Sequence, residues 1–275
     1  MKKLIDYIRL SKFLYLLIIL KRILFTVRKN LKHIKISIEW LFTSKEHTNF
    51  SLKLDYRNKK SMSLYLENNF NVDKLKIKEL IEFSEDLPIS KKHFKSRKNS
   101  GFYDTDFDNK WDYRLVPFIL FIECNINYLF EFGHDHGRLP FLVSKYFEKK
   151  AMFQNYIGID FNSRKGSLVE ESINSENIKL INTSVEEYLT NYEFKQNLDN
   201  SIVVSSTHET NSETFLFNYL EENNLIPKII ISDEVSLGSP YTKFINEKKY
   251  KNDILIFNDK NNFLDPLYIG ISYLP

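Results

Sequence analysis

The sequence predicts an α/β protein built on a doubly wound, seven-stranded, mostly parallel sheet, with a helical and mixed N-terminal extension. Three observations predict it. From residue 128 onward, short apolar runs alternate five times with helical patterns, the order that builds a parallel sheet covered on both faces. Two more apolar runs, 254–257 and 267–273, follow with no good helix between them, so the sheet ends in a strand pair. The first strand–helix–strand unit, 127–162, has a glycine turn after its first strand and an acidic residue closing its second, the layout of a nucleotide-binding unit.

Composition sets the outer limits. The chain has 275 residues, enough for one domain with an appendage or for two small domains, and 43% of them are hydrophobic, enough for a substantial core. A net charge of +3 is too balanced to imply nucleic acid, and none is expected as a partner. One cysteine, Cys124, excludes an internal disulfide and a Cys-based zinc site, and its apolar surroundings suit a structural thiol. We divide the chain into an extension, 1–100, and a main domain, 101–275.

The extension opens on a basic, apolar arm. Lys2, Lys3, Arg9, Lys12, Lys21, Arg22, Arg28 and Lys29 face one acid, Asp6, within residues 1–29. Residues 13–20 are apolar without a break, but Lys21-Arg22 interrupts the run short of the roughly 20 residues a spanning helix needs. No small-residue cleavage site follows, so a secretory signal is not expected. Two readings stay open. The arm is an interfacial helix on an anionic membrane, or it packs on the domain or on a second subunit. The expected location is cytoplasmic, with the membrane reading placing the protein on the inner membrane face. Beyond the arm, Phe50, Leu52, Leu54 and Tyr56 alternate as a strand does, and so do Met62, Leu64 and Leu66, which suggests a hairpin. Asp73 is placed to cap a helix running to about Phe83. The basic loop 91–98 marks the boundary.

The main domain begins with an aromatic and acidic cluster, Tyr103, Asp104, Asp106, Asp108, Trp111, Tyr113 and Arg114. A helix is expected over 112–123, with Pro117 as its irregularity. Strand 128–132 follows, then a helix with Leu139, Phe141, Leu142, Tyr146 and Phe147 on its apolar face, then strand 156–159. Ser163 is placed to cap the next helix, to about 175. Strands at 177–181, 201–205 and 228–231 alternate with helices over 185–189, 211–223 and 241–247.

The turn at the centre reads Glu131-x-Gly133-x-Asp135-x-Gly137. Gly133 lets the chain turn, or approach a ligand, where a Cβ would clash. Gly137 lets the helix start close to the strand, and the N–H groups of a helix start favour electron-rich ligand atoms. Asp160 lies 23 positions after Gly137, near the offset at which an acidic residue accepts both ribose hydroxyls. This pattern resembles motif I of the class I S-adenosylmethionine-dependent methyltransferases, D/E-x-G-x-G-x-G, with Asp135 in place of the middle glycine. The resemblance covers about residues 101–275, and the closing strand pair agrees with it, because that family's seventh strand is antiparallel and inserted beside the fifth.

The resemblance implies S-adenosylmethionine as cofactor. It implies contacts from Glu131, Gly133, His134, Gly137, Asp160, Phe161, Ser184 and Ser205, with Glu131 and Gly133 beside the methionine end and Asp160 on the ribose. It also implies that the cluster before the motif acts as a lid. Ser184 stands where the family commonly has an acidic residue for the adenine amino group, so that contact is expected to be weaker or made by backbone. His208, after the fourth strand, is the candidate base for an acceptor hydroxyl or amine, since its ordinary pKa lies near neutrality. No metal is assigned. His134-Asp135-His136 sits inside the cofactor turn, and Asp233 with Glu209 forms only a weak carboxylate pair. The expected activity is methyl transfer to oxygen or nitrogen of a small-molecule or glycan-precursor acceptor, in a chain that is free to form a homo-oligomer. Two alternatives differ in class: a catalytically degenerate domain of the same fold used as a scaffold, and an NAD(P)-dependent oxidoreductase.

Overall fold

The computed structural model describes residues 31, 34–36, 38–39, 50–53, 59–87, 114–134, 137–161, 176–191, 194, 198–207, 210–233, 235–246, 248–259 and 262–275. One eight-stranded sheet runs through it. The strands are β1 (Phe50–Lys53), β2 (Tyr128–Phe132), β3 (Asn155–Ile159), β4 (Ile178–Ile181), β5 (Ser201–Ser205), β6 (Ile229–Ser232), β7 (Lys251–Asp259) and β8 (Asn262–Tyr273). Their order across the sheet is β1-β7-β8-β6-β5-β2-β3-β4. Only β8 is antiparallel to its neighbours, and it lies between β6 and β7. This is the doubly wound arrangement with an inserted last strand expected from the sequence. Residues 50–53 add β1 as an eighth strand, parallel to β7.

The strands at the centre are apolar on both faces because helices cover both. All five residues of β5 are buried, as are all four of β6. Along β2 the faces alternate: Leu129 joins one hydrophobic cluster, Phe130 and Phe132 the other. The first cluster takes in α1 (Lys59–Phe70), α2 (Lys74–Asp86), α3 (Leu115–Glu123) and α4 (Arg138–Lys149). The second takes in α5 (Val185–Asn191), α6 (Thr210–Glu222) and α7 (Pro240–Asn246).

Local chemistry explains the helix ends. Asp73 caps α2 by accepting from the N–H groups of Leu75 (2.8 Å) and Lys76 (3.1 Å), as expected. Helix α3 is apolar all round, and Leu115 through Phe121 are all buried. Pro117 falls in its first turn, where a missing N–H removes no helical bond. Cys124 follows at the C-cap, and burial pushes its thiol pKa up to about 11, which keeps it an inert thiol at neutral pH.

One sequence expectation is corrected. Residues 62–66 do not form a hairpin strand but lie inside α1. Met62, Tyr65 and Leu66 are buried at helical spacing, while Leu64 is exposed. Tertiary contact made the choice: this face packs with Leu115, Phe118, Ile269 and Ile271 in the same cluster. The expected cap at Ser163 and its helix lie outside the described residues, as do residues 1–30 and the cluster at 103–113.

Candidate active site

The strand order reverses between β2 and β5: the chain winds outward through β3 and β4 on one side and through β6 on the other. Ligands of open α/β sheets bind at such a switch point, outside the carboxyl ends of the strands. There β2 runs into Gly133, whose φ is +86°. Its N–H donates to the Ile159 carbonyl (2.8 Å), and the neighbouring Phe132 carbonyl accepts from the Ser206 N–H (2.8 Å). The turn is therefore tied to the ends of both β3 and β5. A Cβ on Gly133 would lie 2.5 Å from the Ser206 carbonyl oxygen, so only glycine fits. Gly137 closes the turn at φ +76°, donating to the His134 carbonyl (2.7 Å) and leading into α4.

Most of the site residues expected from sequence gather on this rim. Glu131 is fully buried on β2, and its carboxylate accepts a hydrogen bond from the Tyr156 hydroxyl on β3. It stands behind the glycine turn. His134 is buried, packs its ring edge over Gly158, and holds Nδ1 3.9 Å from the Asp160 carboxylate. Asp160 follows the last residue of β3; its N–H donates to the Ile181 carbonyl and its own carbonyl accepts from Thr183 N–H (both 3.2 Å). With its amide oriented to satisfy both groups, Asn182 donates to the carbonyls of Asp160 (3.1 Å) and Phe161 (2.9 Å). Phe161 itself is exposed. Ser205 is buried at the end of β5, and its carbonyl accepts from Asp233 N–H (3.2 Å).

Ser184 is engaged within its own turn. Its Oγ accepts from Glu187 N–H (3.1 Å), so it caps α5. The preceding residue is the more telling one. Thr183 is 8% exposed, and its Oγ1 makes no hydrogen bond, an uncommon state for a buried hydroxyl. Asp135, His136, His208, Glu209 and Glu234 lie outside the described residues. Among the described residues no cluster of three or more His, Cys, Asp or Glu is placed to hold a metal.

Tyr156 is the residue the sequence reading passed over. Burial first, then the negative charge of Glu131, hold its hydroxyl protonated well above the ordinary tyrosine range, and the Arg114 charge acts in the opposite sense. Parallel register was the available signal: Tyr156 lies opposite Leu129, two positions before Glu131 on the same face, within reach of a tyrosine hydroxyl. A measurable consequence follows. A tyrosine whose folded pKa is raised contributes stability that is complete below its unfolded pKa near 10. That contribution is lost as pH rises, at about 1.4 kcal/mol per pH unit. Tyr156→Phe is expected to remove that slope above about pH 10, and to cost about 1–3 kcal/mol at neutral pH by taking a donor from buried Glu131. Urea titrations of both proteins at pH 7 and at alkaline pH check this; parallel stability curves above pH 10 would refute it.

No protein-family model matches the chain, and no curated protein sequence matches it. Solved structures do resemble it in fold. The O-methyltransferase TomG from Streptomyces achromogenes, in complex with S-adenosylmethionine, is 9% identical, covers 70% of this chain and 95% of its own, and has a TM-score of 0.45. A Podospora anserina methyltransferase bound to S-adenosylhomocysteine is 15% identical, covers 81% and 99%, and has a TM-score of 0.41. A TDP-rhamnose 3'-O-methyltransferase of calicheamicin biosynthesis is 14% identical, covers 62% and 81%, and has a TM-score of 0.37. The strand order of the chain itself assigns the fold: a doubly wound, Rossmann-like sheet with β8 inserted antiparallel between β6 and β7.

Proposed function

We propose that this chain is an S-adenosylmethionine-dependent methyltransferase whose acceptor is a small molecule or a glycan precursor. The observation that carries the reading is the Gly133 turn at the switch point, pinned between the ends of β3 and β5, in a sheet that closes with an inserted antiparallel strand. A dinucleotide dehydrogenase half would not end in that strand pair, so the oxidoreductase alternative is disfavoured.

The residues present fit the cofactor. Asp160 is an acidic residue at the rim, suited to accept ribose hydroxyls. Thr183 Oγ1 is a buried hydroxyl with no hydrogen bond, beside Asp160, suited to a polar edge of the adenine. Glu131, held by Tyr156, is the carboxylate we assign to the methionine end of the cofactor. S-adenosylmethionine would supply the electrophilic methyl group; the chain would orient it and the acceptor. His208, one position past Thr207, is the base we assign to the acceptor proton. His134, Gly137, Phe161 and Ser205 complete the proposed cofactor rim, with Ser184 acting through its cap on α5.

The scaffold alternative draws on Asp135 in place of the middle glycine and on Ser184 being engaged in capping. Titration calorimetry separates the readings. The full chain is expected to bind S-adenosylmethionine and not NAD(P), and Asp160→Ala is expected to weaken that binding by roughly 1.5–3 kcal/mol with the melting temperature little changed. No heat with S-adenosylmethionine would leave the scaffold reading, and equal affinity in the variant would remove Asp160 from the site.

A further inference from the structure

The described residues 31, 34–36, 38 and 39 are helical. Ile36 is buried in the cluster on the α5–α7 side of the sheet, which fixes how this helix sits. Three apolar side chains face away from that contact: Leu31 is 61% exposed, Ile34 37% and Ile38 50%. Their spacing, i, i+3 and i+7, gathers them into one stripe within about 60° of helical arc, with Ile36 on the opposite side. Lys35 flanks the stripe, 78% exposed, in a loose ion pair with Glu39 (3.9 Å).

Charge says what covers the stripe. Lys32 and Lys35 continue the basic run of residues 1–29, and Asp6 is the only acid before Glu39. The chain as a whole carries only +3, so positive charge is concentrated at this end. An apolar stripe bordered by lysine, next to a basic and apolar stretch, matches the surface of an anionic bilayer: the side chains enter the interface while the cations stay with the headgroups. A second copy of the chain would bring the same positive charge and repel it. No described helix is long and apolar enough to cross a membrane.

We propose that Leu31, Ile34 and Ile38, flanked by Lys35, form a docking face for an anionic lipid surface. The proposal is independent of the methyltransferase reading. It is tested by flotation of the full chain with vesicles of phosphatidylcholine alone and with phosphatidylglycerol added. The protein is expected to float with the anionic vesicles, and to be released from them by salt. Replacing Leu31, Ile34 and Ile38 together with Ser is expected to lower binding about tenfold or more, and Lys35→Glu to lower it several-fold with unchanged binding to neutral vesicles. Phe153→Ser, which removes an apolar side chain that is 94% exposed between α4 and β3 and is not part of the stripe, is expected to bind like the parent. A parent protein that ignores anionic vesicles, or a triple variant that floats as the parent does, overturns the proposal. So does a parent dimer that the triple variant converts to monomer, because a second copy would then own the stripe. Because all four side chains are exposed, the variants should keep the parent melting temperature; if the triple variant melts early, Lys35→Glu decides.

Discussion

Gly133→Ala is expected to lower the stability of the fold by roughly 2–5 kcal/mol and, on the function proposed above, to abolish measurable S-adenosylmethionine binding. Two costs add. An L-residue at φ +86° carries about 1–2 kcal/mol of backbone strain. The new methyl would also lie 2.5 Å from Ser206 O, 2.7 Å from its carbonyl carbon and 2.8 Å from Thr207 Cα. Those atoms are backbone, tied to β2 through the bond from Ser206 N–H to the Phe132 carbonyl (2.8 Å), so relief means moving the end of β5. Overpacking of that kind typically costs about 1–3 kcal/mol. The same movement displaces the rim on which Ser205 and Thr207 stand, which is why binding should fail even where folding survives. Gly238→Ala serves as control: nothing lies within 4 Å of its added Cβ, and its change should stay within about 0.5 kcal/mol. Chemical denaturation of the three proteins decides. A Gly133→Ala variant as stable as Gly238→Ala would mean that the turn is not held as described.

The parts of this site that the sequence made legible are those carried by local rules. A glycine that must turn, a helix that must start, and an acid after a strand can each be read from neighbouring residues, and Gly133, Gly137 and Asp160 stand where those rules put them. What escaped depends on pairing across the sheet. Tyr156 meets Glu131 only because β3 lies beside β2 in a given register. Thr183 and Ser184 are both hydroxyl residues in one turn, and only the cap on α5 shows which hydroxyl is engaged. Residues 62–66 misled for the same kind of reason. Met62, Leu64 and Leu66 alternate, but the burial of Tyr65 between them is a helical fact that α1 acquires by packing on the sheet. Helices α1 and α2 therefore fold as a cover for the first cluster, which composition alone could not reveal.

That cover is pinned by a buried carboxylate, and removing it should be the second large effect. Asp253 sits in β7, fully buried, with Ser51 of β1 beside it on one flank and Ile271 of β8 on the other. Its Oδ2 accepts from the Tyr65 hydroxyl of α1 (3.0 Å) and the Tyr273 hydroxyl of β8 (3.3 Å). Burial, then the charge of Asp253, hold the Tyr273 hydroxyl protonated well above the ordinary tyrosine range, so it remains a donor at any working pH. Asn69 extends the network, accepting from Tyr273 (3.1 Å) and from Lys251 Nζ (2.8 Å). Asp253→Ala deletes the shared acceptor. Tyr273 keeps Asn69, but the Tyr65 hydroxyl is left buried with its hydrogen bond to Asp253 gone, and a small void opens beside β1. Losses of this kind sum to roughly 2–4 kcal/mol. Asp253→Asn keeps an acceptor oxygen in the same place and should recover about half of that. In the Ala background, Tyr65→Phe should cost far less than in the parent, because the bond it removes is already gone. Urea unfolding of the four proteins supplies the cycle. Additive losses from Asp253→Ala and Tyr65→Phe would show that α1 is held by its apolar face alone, with the hydrogen bond contributing nothing to its attachment.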